Sequence, residues 1–329
     1  MTKVLCVGTL VVDIFAEGLD SAVAPNTGFK SPVSHHPGGN VLNVAVDLSK
    51  LGVKNIFCGS IAGDDMFGNM LAEYLEKHKI KSRIKTVKNG QTAKCLILGF
   101  KDKSRAFIGD RGSNVCYTAA EVIKLIKTTK PGVFYAGETP SLPKVESGLM
   151  RILKTAKVSG AITVLDYIIS SDKFNGNLLK CGQFTDVLHI NDYEARLITG
   201  NKDPKQALKF LVKAGFKFCI ITCGGDETVF SYNGKMYKTG VLPVKCVDST
   251  GAGDAFTAGI IAKLSMLKGN NVKEKLKDEK ALFDTIMFAS ACGALAVTQT
   301  GCTGGVSLKK VKSQIKQSKN KFIPGIKQI

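Results

Sequence analysis

The stretch Val247-Asp248-Ser249-Thr250-Gly251-Ala252-Gly253-Asp254-Ala255-Phe256 sets three small residues before a carboxylate and runs into the apolar segment 255–262. It reads as a turn that opens a helix. The backbone N–H groups of Gly251, Ala252 and Gly253 are then helix-start donors, suited to phosphate oxygens. Small residues let a polyphosphate approach the backbone closely. A carboxylate beside phosphate is costly, so Asp254 needs a task. Taking the proton from a hydroxyl that attacks phosphorus is the obvious one. The competing account is an acidic residue favoured in a first turn by the helix dipole. The spacing fits neither the G-x-x-x-x-G-K-[ST] phosphate loop nor the G-x-G-x-x-G dinucleotide turn.

Other constellations fall at strand ends. Asp13 follows the first apolar strand, at the edge where open α/β sheets bind ligands. His36-Pro37-Gly38-Gly39-Asn40 leads into a helix carrying Asn43, so Asp13 and Asn43 could hold hydroxyls, or Asn40 could simply cap the helix. Gly63-Asp64-Asp65-Met66-Phe67-Gly68 is a loop with a capping Asp. Asn191 and Glu194 have the spacing of a reciprocal cap, and their oxygens also suit hydrated Mg²⁺. Thr222-Cys223-Gly224-Gly225 ends a strand as a plain turn or a nucleotide edge. Gly301-Cys302-Thr303-Gly304-Gly305 is a helix stop or part of the same slot.

Alternating apolar strands and amphipathic helices must position these groups. Strands are expected over 4–11, 56–61, 133–136, 162–166, 187–190 and 218–222. Helices are expected over 40–51, 65–78, 145–157, 192–199, 204–214, 255–267 and 279–298. A hairpin should turn at Asn233-Gly234. This alternation predicts an α/β fold with a parallel sheet covered on both faces. Residues 15–37 and 91–112 break it as strand pairs without helices, the latter turning at Asp102-Lys103-Ser104. They would form a small antiparallel lid.

The 329 residues, 44% of them hydrophobic, suffice for a large core, with one domain over 1–329 expected. Ten scattered cysteines with no CxxC and only four histidines give no zinc spacing and suit a reduced, cytoplasmic protein. No stretch approaches an uninterrupted membrane span. The net charge of +19 is dispersed and carries no aromatic-rich basic stripe, which argues against nucleic acid as partner. Seven lysines between 309 and 327 read as a solvated helix face ending in a frayed terminus.

Taken in order, Gly38-Gly39-Asn40-Val41-Leu42-Asn43-Val44-Ala45 with Leu51-Gly52, Gly63-Asp64-Asp65 with Gly68, Asn191 with Glu194, and Asp248 to Asp254 make the chain resemble the ribokinase/PfkB family of carbohydrate and nucleoside kinases over nearly its whole length. The resemblance implies a ribokinase-like three-layer αβα sandwich with a mostly parallel central sheet and a small lid. It implies transfer of the γ-phosphoryl group of ATP to a hydroxymethyl group. By position, Asp254 is then the base and Gly251, Ala252 and Gly253 the anion hole. Asn191 and Glu194 belong to the Mg²⁺–water network. Asp13, Gly38, Gly39, Asn43 and Glu138 would then contact sugar, while Thr222, Gly224 and Gly225 would contact nucleotide. Members of the family often use a monovalent cation such as K⁺ near the turn that here carries Asp248 and Thr250.

The acceptor is less legible. Arg111, in Asp110-Arg111-Gly112-Ser113-Asn114, would select a sugar acid or sugar phosphate if it faced the site. Paired with Asp110 or solvent, the preferred reading, it leaves fructose or ribose open. A nucleoside acceptor is the alternative, with Phe100, Phe107 and Tyr117 as candidate stacking residues. A non-catalytic binding protein on the same fold is a third reading, and a homodimer through the lid edge is compatible with the pattern.

Overall fold

The computed structural model describes residues 2–20, 28–102, 104–169 and 174–329. Its larger sheet is built on β1 (Val4–Val7), β4 (Ile56–Gly63), β5 (Lys81–Val87), β8 (Val133–Gly137), β9 (Ile162–Asp166), β10 (Val187–Asn191) and β11 (Cys219–Cys223). These seven run parallel in the order β11-β10-β9-β8-β1-β4-β5. Beyond β11 the sheet continues antiparallel through β12 (Glu227–Tyr232), β13 (Lys235–Gly240) and β14 (Lys327–Gln328). The β12–β13 hairpin turns at Asn233 and Gly234, both at positive φ (49° and 79°), as the right-handed twist of a tight hairpin requires.

Strand periodicity divides the core. Val4 and Cys6 of β1 point to one side of the sheet, Leu5 and Val7 to the other. The first side is covered by α1 (Asn40–Lys50), α8 (Ala252–Met266) and α10 (Glu279–Ala296), and the second by α3 (Ala119–Thr129), α5 (Leu149–Val158), α6 (Asp192–Thr199) and α7 (Pro204–Lys213). Helix α8 is apolar nearly all round because it lies between the sheet and α10. The architecture is the three-layer αβα sandwich.

The smaller sheet has the order β3-β2-β6-β7, from β2 (Val11–Leu19), β3 (Val33–Gly38), β6 (Lys94–Phe100) and β7 (Arg105–Asp110). It is mainly antiparallel, but its central pair, β2 with β6, is parallel. Such a pair needs a long crossover, here the chain from β3 through β5. The lid thus begins at Val11, earlier than expected. Residues 21–27 of the expected lid and Lys103 of its turn lie outside the described residues.

Several elements differ from the sequence reading. The first apolar run is two strands, β1 and β2. Strand β5, Lys-Ser-Arg-Ile-Lys-Thr-Val, and helix α3 were not expected. β5 is a polar sheet edge with one solvated face, so it has no apolar run to betray it. The expected helix over 145–157 is interrupted after Glu146, where Gly148 precedes α5. The basic tail is not frayed. It forms α11 (Leu308–Gly325), buries Val311 and Phe322, and ends in β14 paired with β13.

Candidate active site

The parallel strands deliver their carboxyl ends to one edge, where β8 hands on to Glu138, β9 ends at Asp166, β10 at Asn191 and β11 passes through Thr222. The N-termini of α1 and α8 meet there, and β2 brings Asp13 from above. Gly251 caps α8 with φ 79°, and a Cβ on it would stand 2.6 Å from the Cys302 carbonyl oxygen. Only glycine fits that turn. The first helical bond is donated by Ala255 to Gly251 at 2.9 Å, so the amides of 251–254 precede the helical ladder. The Ala252 amide leans on the Ser249 carbonyl at 3.3 Å, a long contact.

Asp254, partly open to the cleft, is gripped from α1. Asn40 Nδ2 donates to its Oδ1 at 2.6 Å and Asn43 Nδ2 to its Oδ2 at 2.8 Å. Tyr135 in turn donates its hydroxyl to Asn40 Oδ1 at 2.6 Å. Burial pushes the Asp254 carboxyl up to about 7, Asp166 adds to the rise, and the two amides pull it back. Gly137 is shaped by the same grip, since a Cβ there would fall 1.7 Å from Asn40 Oδ1. Asn43, expected to meet substrate hydroxyls, is thus also a holder of Asp254.

On the lid side, the Asp13 carboxylate lies against Gly38, where a Cβ would come within 2.2 Å of it. Gly39 caps α1 at φ 93° and touches the Thr9 and Val11 backbone too closely for any side chain. Burial, then the charge of Glu138, pushes Asp13 up to about 6. Glu138, at φ 49°, accepts hydrogen bonds from Thr9 and, at 2.9 Å, from Ser141. Burial raises its carboxyl, the hydrogen bonds from Thr9 and Ser141 oppose the rise, and the charges of Asp166 and Arg111 make smaller, opposite contributions. Asp110 Oδ1 accepts from the Gly112 amide at 2.9 Å and its Oδ2 faces Lys94 at 3.8 Å, while Arg111 is exposed. Tyr117 is fully buried in the core, which removes it as a stacking residue.

On the far side, Asn191 and Glu194 form the reciprocal cap of α6, with Glu194 N donating to Asn191 Oδ1 at 2.7 Å and Asn191 N to Glu194 Oε2 at 2.8 Å. Burial, then Asp166, pushes Glu194 up to about 7. Gly224, at φ 55°, and Gly225 form an exposed turn with open space around both. The Asp248 carboxylate accepts from the Thr250 amide (3.0 Å) and hydroxyl (2.7 Å) and from the Gly301 amide (3.4 Å). Gly301 and Cys302 thus pack beneath the signature turn.

Sequence reasoning missed the groups that link these parts. Asp166 accepts from Thr257 Oγ1 at 2.9 Å and lies 3.4 Å from His189 Nδ1, while His189 Nε2 pairs with Thr222 Oγ1 at 3.2 Å. The imidazole stacks on Phe256, ring centroids 5.0 Å apart. Burial alone would lower His189, but the carboxylates around it, Asp166 foremost with Glu194 and Asp254, together outweigh it and raise the imidazole above its usual range. Arg105 of β7 crosses from the lid to donate to Asp248 Oδ1 at 3.2 Å and Thr250 Oγ1 at 3.0 Å. Only the position of Asp166 at the end of an expected strand could have flagged any of these. Among the described residues no group of three or more His, Cys, Asp or Glu side chains is placed to hold a metal ion.

The model of the pfkB family carbohydrate kinases matches residues 1–309. Probable fructokinase-7 of Arabidopsis thaliana is 30% identical over 316 residues, covering 91% of this chain and 88% of that protein. Fructokinase-2 of Solanum lycopersicum is 29% identical over 309 residues, covering 89% and 90%. The ATP-bound fructokinase structure from Xylella fastidiosa superposes with a TM-score of 0.83 at 21% identity, covering 97% of this chain and all of that one. The Arabidopsis thaliana ribokinase complexed with ribose and ATP gives 0.80 at 21%, covering 96% and 99%. The shared fold and the family match agree with the ordered motifs, and the chain belongs to the pfkB family of carbohydrate kinases.

Proposed function

We propose that the protein transfers the γ-phosphoryl group of ATP to a hydroxymethyl group of a small neutral sugar of the fructose or ribose type. The observation that carries this reading is Asp254, held by two amides at the head of α8 beside the amides of residues 251–253. In the ionised state it takes the acceptor hydroxyl proton as the oxygen–phosphorus bond forms and the bond to the ADP leaving group breaks. The turn amides receive the charge of the transferring group. Glu194 and Asn191 would hold Mg²⁺ through water, a fit supported by the surplus of negative charge around Asp166, Glu194 and Asp254. When bound, Mg²⁺ neutralises charge on the phosphates. A monovalent cation fits less well at Asp248 and Thr250, because Arg105 already compensates that carboxylate.

Charge on the acceptor side favours a neutral sugar. Asp13 and Glu138 set two carboxyls against the single guanidinium of Arg111, and together they suit hydroxyl groups better than an anion. The names of the fructokinase relatives support the same class. Arg111 keeps a sugar acid or sugar phosphate as the second reading, and the nucleoside alternative loses one of its three candidate stacking residues, since Tyr117 lies in the core. A homodimer through the lid stays part of the reading, because Val33, Phe107 and Ile108 are exposed there.

The test is direct product measurement with ATP and Mg²⁺ against fructose, ribose, 2-keto-3-deoxygluconate and a nucleoside. Fructose or ribose should be turned over best, and Asp254→Asn should lower kcat by roughly 10²–10⁴-fold. Activity unchanged in that variant removes the base from the mechanism. Exclusive turnover of the acid shifts the assignment to Arg111.

A further inference from the structure

Behind Asp254, two buried side chains on α1 carry acceptor atoms that lack partners among the described residues. Both carboxylate oxygens of Asp47, which is 0% exposed, are unmatched, and so is Asn43 Oδ1. The two residues stand at i and i+4, where side chains on a helix are neighbours. Asn43 is the residue whose other amide atom, Nδ2, donates to Asp254. Unmatched buried acceptors are costly, and two of them side by side cannot satisfy each other while both only accept. One proton on Asp47 gives Asn43 Oδ1 a donor and leaves a single unmatched oxygen, the carbonyl of a now neutral carboxyl.

We propose that Asp47 is protonated in the working enzyme and donates its O–H to Asn43 Oδ1, so that it is the positioning residue that fixes the amide gripping Asp254. The proposal rests on the reading of Asp254 as base. An Asn amide can turn over, exchanging donor and acceptor. With Asp47 as donor, only one orientation serves both neighbours: Oδ1 toward Asp47 and Nδ2 toward Asp254. An ionised Asp47 would instead attract Nδ2 and draw the donor off the base.

The surroundings favour the neutral form. Burial is the main influence raising the Asp47 carboxyl well above its usual range. The groups that face it are Lys50 on its own helix, Asp254 on α8, Cys292 on α10 and Cys302 in the loop beyond. Lys50 opposes the rise, but its ammonium is directed to the Thr303 carbonyl and not to Asp47. Asp254 adds to it, and both thiols are themselves held neutral by burial. The pocket accommodates one negative charge, and the grip of two amides assigns that charge to Asp254.

Asp47→Asn and Asp47→Ala separate this role from packing. The Asn variant keeps a donor of the same shape but cannot titrate, so kcat should stay within about twofold of the parent and any alkaline decline due to Asp47 should disappear. The Ala variant leaves Asn43 Oδ1 unmatched and should lower kcat about tenfold, with KM for ATP unchanged. The infrared difference spectrum, parent minus Asp47→Asn at neutral pH, should show a protonated-carboxyl band, which needs no activity and no stable Ala variant. Absence of that band, or an Asn variant as impaired as the Ala variant, overturns the proposal. Asp254→Asn reports separately on the base, so a failure there is distinguishable from a failure here.

Discussion

Asp254 is useful because it is neither free nor locked. Its carboxyl is pushed to about 7, so at neutral pH a large share is ionised while proton affinity stays high. The value of kcat/KM should therefore rise with pH on an acid limb centred near 7, since only the carboxylate can take a proton. Removing one stabilising amide in Asn40→Ala should move that limb to higher pH, because the charged form loses a hydrogen bond. A pH–rate profile checks both, and a limb shifted downward contradicts the argument. Asp254, Gly251 and Gly39 were legible in the sequence because a local turn and its carboxylate are written in consecutive residues. Asp166, His189 and Arg105 were not. They come together from β9, β10 and β7, and no spacing along the chain records which strands will be neighbours. Of the two outward partners expected for Arg111, Asp110 is occupied by the Gly112 amide and Lys94, a contact that neighbouring letters in the sequence do not record.

Elements place these residues by how they start and stop. The turn before α8 is fixed from below by the Cys302 carbonyl, so its geometry depends on a segment about fifty residues downstream. Gly251→Ala forces a Cβ to 2.6 Å from that oxygen at a positive φ and should cost about 1–3 kcal/mol of stability. At Gly253 a Cβ would meet only the His189 ring, at 3.6 Å, an ordinary contact. Thermal denaturation should thus show a clearly lowered Tm for Gly251→Ala and a nearly parental one for Gly253→Ala. Equal losses in the two would remove the Cys302 contact as the cause. The Asn191–Glu194 pair shows why a motif can carry two readings, since the reciprocal cap of α6 is formed whether or not an ion ever approaches. Buried strands and capped helices were readable from pattern. The solvated edge β5 and the parallel β2–β6 pair were not, because one lacks apolar alternation and the other is set by topology.

Across the whole molecule, a strongly basic chain, net +19, concentrates carboxyls at a single edge. Asp13 (about 6), Glu194 (about 7) and Asp254 (about 7) all bind their protons more tightly folded than unfolded. For such groups the stabilising contribution is complete below the unfolded values near 4 and is lost as pH rises through the folded ones. The ligand-free protein should accordingly show a Tm that falls between about pH 5 and pH 8 in calorimetry, over the range of these folded values. A Tm rising across that range would mean other groups dominate. Among the described residues no helix is long and apolar enough to cross a membrane. The contact of Arg105 with Asp248 and Thr250 joins the small sheet to the head of α8 through a single side chain. Any displacement of that sheet must either release the guanidinium or drag the turn with it. A displacement of the outer rim that kept this contact would therefore turn the amides of residues 251–253 with it, as a lever turns about its fulcrum.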